Sequence, residues 1–163
     1  MAKSAYDIAP NATFIEAAHT SIRQQLGEMM ENLEGTRRGE DIEALHDMRV
    51  ASRRLRAALS VFAAAFPPKP FRVTEKEVAK TTDALGAVRD SDVQIEFMDA
   101  AISAASESEK VGLRAFRAHL QAERDRERIL LVKELNRLEK SSFTKDFQKL
   151  LGDKDSSEGG TDG

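Results

Sequence analysis

Ile15, Ala18, Ile22, Leu26, Met29, Met30 and Leu33 recur at steps of three and four, and the same period runs on, with breaks, to Leu151. That spacing puts apolar groups on one stripe of an α-helix. No segment reads convincingly as a strand. A chain of this kind buries its stripes only by packing helix on helix. The expected fold is therefore all-α: an antiparallel bundle of about five main helices with a long C-terminal one.

Punctuation residues divide the pattern. Thr13 and Glu16 form a capping box that opens a first helix to about Leu33, and Gly35 is expected to end it. A second helix runs from about Asp41 to Phe66, where Pro67-Pro68 stops it. A third starts near Pro70 or Thr74 and reaches about Val88. Ser91 with Gln94 looks like another cap, so a turn around Arg89–Ser91 should start a fourth helix to about Ala105. Ser106 with Glu109 opens a long fifth helix to about Lys140, and a short helix over Thr144–Leu151 follows. The expected division is an N-terminal extension over 1–12, a helical bundle over 13–151 and an acidic tail over 152–163. That tail has too few apolar groups to order itself and should be disordered.

Composition excludes several function classes. With no cysteine there is no thiol catalyst, disulfide or thiolate metal site. The N-terminus lacks the layout of a signal peptide. The longest apolar-looking run, Ala57–Phe66, is interrupted by Ser60 and falls well short of the ~20 residues a membrane span needs. A cytoplasmic protein without membrane contact is expected. The net charge of −3 argues at first against binding anions. However, the tail's four acidic residues against Lys154 account for all of it, so the body is neutral and the placement of its charges decides.

They are placed unevenly. At about 100° per residue, His46, Arg49, Arg53 and Arg56 fall within an arc of about 80°. Leu45, Met48, Leu55, Leu59 and Phe62 centre on another face, which should be the buried one, and Arg54 lies to the far side of the basic stripe. Neighbouring arginines repel unless an anion offsets them. Their forked donors suit repeated phosphates better than a lone carboxylate. The bland alternative is a solvated charged face, or arginines spent in cross-helix salt bridges. A single helical histidine is more often structural than catalytic, and His19 and His119 stand at no metal-ligand spacing with His46. No HExxH, paired Glu-x-x-His or phosphate-cradling glycine loop is present, so no metal or cofactor is expected.

The pattern His46-x-x-Arg49-Val50-x-x-Arg53-Arg54-x-Arg56, followed by Leu85-Gly86-x-x-Arg89-Asp90-x-Asp92-Val93, resembles the CHAD family, the conserved histidine α-helical domain. The resemblance runs from about Thr13 to Lys140. It implies a helical bundle whose basic surface binds inorganic polyphosphate without catalysis, in some members at polyphosphate granules. Carried over by position, His46, Arg49, Arg53, Arg54 and Arg56 match the family's basic helix, and Arg89 matches the arginine of the second motif. A complete domain of this family has two similar halves, and this chain resembles one of them. The expected consequence is a homodimer that restores the shared surface about a twofold axis. Its contact is expected on the fifth helix, at Leu113, Phe116, Leu120, Leu130, Leu131, Leu135 and Leu138.

Arg114, Arg117, Arg124 and Arg128 also line up within about 80° of arc. Arg114 and Arg117 are secondary candidates for the polyanion surface. Ordinary salt bridging to nearby Glu123, Asp125 and Glu127 competes as the explanation of this row. Asp90 and Asp92 are read as helix-start residues, with Arg89 either bridging to that cap or facing the ligand. Three other functions stay in view. One is an enzyme acting on phosphate esters or polyphosphate through His46, against which stands the lack of a metal–carboxylate cluster. Another is a structural, partner-binding bundle. Nucleic acid is disfavoured by a single tyrosine and no tryptophan for base stacking.

Overall fold

The computed structural model describes residues 7–152. Among these described residues six α-helices follow one another: α1 (Phe14–Glu31), α2 (Leu33–Arg38), α3 (Ile42–Val61), α4 (Pro68–Ala104), α5 (Glu107–Lys140) and α6 (Phe143–Leu150). A 3-10 turn, Ala63–Ala65, joins α3 to α4. No strand occurs among the described residues. The tail expected to be disordered lies outside them from residue 153 on.

The ends of the helices follow from side-chain chemistry. Thr13 Oγ1 accepts from the Glu16 N–H at 3.2 Å, and the Thr13 N–H donates to Glu16 Oε2 at 2.8 Å. This closes the expected capping box. Pro68 takes the first position of α4, where a missing N–H costs nothing.

Three boundaries differ from expectation, the first being the end of α3, which falls at Val61 rather than at about Phe66. Gly35 does not end the first helix. It sits inside α2, where a methyl group would lie 2.9 Å from Ala44 Cβ, so its role is to let α2 approach α3 closely. The first helix ends at Glu31, near the expected Leu33, and Gly39, at φ 71°, ends α2. The largest correction concerns α4, which continues unbroken through Arg89–Ser91. Ser91 does not cap a helix. Its hydroxyl donates to Glu127 Oε2 at 2.6 Å, and Asp92 Oδ1 accepts from Arg124 Nε at 2.7 Å, so both polar residues are buried against α5.

The long α4–α5 hairpin is antiparallel, as shown by the pairs Asp99–Arg117, Asp92–Arg124 and Thr81–Glu134. The helices α1, α3 and α6 close around the base of this hairpin. One core joins Ile22 and Met29 of α1, Met48, Leu55 and Leu59 of α3, Val78, Leu85 and Val88 of α4, and Leu131, Leu135 and Leu138 of α5. Phe143 and Phe147 of α6 seal it. The distal hairpin has only a small second cluster, Ile95, Met98 and Leu120. No helix of the described residues is long and apolar enough to cross a membrane.

Candidate polyanion-binding face

Burying Leu45, Met48, Leu55 and Leu59 against the core turns the adjoining side of α3, about 120° round the helix, towards the surface. His46, Arg49, Arg53 and Arg56 occupy that side, so the core positions hold the row rigid. Phe62, expected in the core, is partly buried at its edge. His46 is half-buried, while Arg53 and Arg54 are exposed, and none of the three has an ion pair or hydrogen bond among the described residues.

The row's inner members lean on α4. Arg49 Nη2 lies 3.8 Å from Asp90 Oδ1, and Arg56 Nη1 lies 3.6 Å from Asp83 Oδ1. Gly86 lies between those aspartates. A methyl group there would come to 3.8 Å from Arg49 Nε, which is itself buried and has no hydrogen-bond partner. The two motifs thus line the shallow groove that two packed helices leave along their seam, here that of α3 and α4. Arg89 stands on α4 beyond Gly86, with Nη1 3.7 Å from Glu96 Oε1.

Two classes of arginine emerge. On the side where α5 meets its neighbours, the contacts are short and complete. Arg124 holds buried Asp92 at 2.7 Å. Arg128 donates to the Thr36 and Arg37 carbonyls at 2.5 Å each, capping the C-terminus of α2. Burial, with Arg124 close by, pulls the Arg128 guanidinium below its ordinary pKa. Arg137 is clasped by Glu134 at 2.6 and 2.8 Å. In the groove, every arginine–carboxylate separation exceeds a hydrogen bond's reach.

The structure does not join the secondary row to this groove. Arg117 binds Asp99, which raises the arginine's pKa and lowers the aspartate's. On α4, Asp92 and Asp99 lie about 180° around the helix from Asp83 and Asp90. Arg117 and Arg124 therefore work on the far side of α4. Arg114 is exposed with no ion pair among the described residues. The sequence reading did not assign Asp83 any part. The available signal was the seven-residue spacing shared by Arg49/Arg56 and Asp83/Asp90, which match when two helices run antiparallel.

The family model for the CHAD domain matches residues 20–162. The chain belongs to the CHAD family. Its domains are associated in general with polyphosphate binding and act as binding modules. The CHAD match spans both walls of the groove and continues past Lys140, where the motif resemblance stopped. No curated protein and no solved structure matches the chain. Among the described residues no group of three or more His, Asp or Glu could hold a metal ion.

Proposed function

We propose that this CHAD chain binds inorganic polyphosphate, or a similarly phosphate-rich polyanion, along the groove between α3 and α4, without catalysis. His46, Arg49, Arg53, Arg56 and Arg89 supply the contacts, and Arg54, on the far side of the row, adds charge outside the groove. One observation carries the reading: these arginines hold their carboxylate neighbours loosely or not at all, whereas the structural arginines of α5 are fully engaged. Forked guanidinium donors spaced about 4.5 to 6 Å along a rigid helix suit a repeating anion. A location at polyphosphate granules follows as part of the same proposal.

Affinity built from many such contacts rises with polymer length and falls steeply with salt. Titration with long-chain polyphosphate, tripolyphosphate and single-stranded RNA at several salt concentrations tests this. The expected order is long chain, then tripolyphosphate, with RNA failing to compete. RNA binding as tight as polyphosphate would point to nonspecific charge attraction. Shortening of the polymer by purified protein, lost in His46→Ala, would favour an enzyme.

We also propose a homodimer, with its contact moved from the position first expected. Leu131, Leu135 and Leu138 are spent in the core, and Leu120 lies in the small distal cluster. Phe116 and Leu130 of the expected set stay exposed, and Phe116 shares with Val93 and Phe97 of α4 a hollow of about 490 Å³. Val93 and Phe97 lie within about 80° of Asp83, Gly86 and Asp90 on α4, so this patch continues the groove. A twofold pairing there would set two arginine rows side by side.

A further inference from the structure

Asp83 and Asp90 are two helical turns apart on α4, and Arg49 and Arg56 are two turns apart on α3. The antiparallel packing brings the pairs opposite each other at 3.6 and 3.8 Å. Neither is a closed hydrogen bond, and the aspartates remain 77% and 72% exposed. Exposed pairs of this quality add little to stability. Asp92 on the opposite side of α4 shows what a structural aspartate looks like in this fold, being buried and bonded to Arg124 at 2.7 Å. The groove aspartates have a different effect. They offset the repulsion among Arg49, Arg53 and Arg56 and keep two guanidinium groups along the groove.

We infer that Asp83 and Asp90 are placeholder anions, intramolecular stand-ins for two phosphate groups that a bound polyanion displaces from Arg49 and Arg56. The inference rests on the polyanion reading of the groove. Its physics gives two consequences. A carboxylate ligand that displaces a carboxylate placeholder gains almost nothing. A unit within a polyphosphate chain carries one charge on two free oxygens, as a carboxylate does, so it wins the exchange through the dense run of such units, with no side chains between them, that meets Arg49, Arg53 and Arg56 together. The aspartates thereby select phosphate polymers over acidic polypeptides. In addition, each displaced aspartate returns to water and takes up a cation, which cancels part of the ion release that accompanies binding.

The test compares the wild type with Asp83→Asn, Asp90→Asn and the double variant. Long-chain polyphosphate and poly-L-glutamate of matched length are the probes, at four or more salt concentrations. The double variant should bind polyphosphate about tenfold tighter and gain affinity for polyglutamate that the wild type lacks. Its plot of log affinity against log salt should steepen by about one to two units. Each single variant should show part of the change, with thermal melting like the wild type's. Equal or weaker polyphosphate binding by the variants, in proteins that melt normally, would overturn the inference and leave the polyanion reading standing. Failure of every protein, wild type included, to bind polyphosphate would remove both together.

Discussion

Arg128 shows how much one residue does outside the binding groove. Its fork fills two carbonyls at the end of α2, just where Gly39 turns the chain through a positive φ. A methyl group on Gly39 would collide with that guanidinium. Both residues thus fix the α2–α3 corner from which the arginine row of α3 departs. Arg128→Ala should cost about 2 kcal/mol, the worth of charge-assisted bonds to helix-end carbonyls. For a domain of this size that lowers Tm by about 4 to 8 °C in a thermal melt. Arg53→Ala, at an exposed position without partners among the described residues, should leave Tm within about 1 °C. Equal melting of the two variants would deny Arg128 its capping role.

Among the elements, the helices of the bundle's base were legible because their apolar stripes are strong and their ends are marked. The Thr13–Glu16 box and the Ser106–Glu109 pair mark helix starts in the structure, while Pro67-Pro68, expected to stop the second helix, opens α4 after α3 has ended at Val61. The unbroken α4 was not legible. Ser91 and Asp92 have the composition of a helix start, and only packing against α5 reveals that Glu127 accepts from Ser91 and Arg124 pairs with Asp92 in the middle of a helix. Local propensity lost there to a tertiary contact. The basic row on α3 could be placed from angle alone, and so could its outward direction. Which arginines are engaged could not be read, because that depends on the register between α3, α4 and α5. Arg117, Arg124 and Arg128 matched the groove arginines in spacing and still took structural partners.

For the whole molecule, one thick core and one thin hairpin end follow from where the large side chains run out. Beyond Leu85 and Val88, the large apolar groups buried between α4 and α5 among the described residues are Ile95, Met98 and Leu120. Phe97 and Val111, at 73% and 72% exposure, then stand in water, the situation a second copy would relieve. The proposed dimer predicts an assembly of two 18.0 kDa chains by light scattering. It should shift to the single-chain mass in Phe97→Ser/Phe116→Ser, with helix content unchanged. A single-chain mass for the wild type across concentration would rule the dimer out.

The groove's central claim meets its most direct test in calorimetric titration of long-chain polyphosphate into the wild type and into Arg49→Ala/Arg53→Ala/Arg56→Ala. Those positions contribute no closed hydrogen bond to carboxylates, so the variant should fold. Binding by the wild type at moderate salt, weakened about a hundredfold or more in the folded variant, is the predicted result. Wild-type affinity retained by the variant, or no binding by the wild type, would contradict the account.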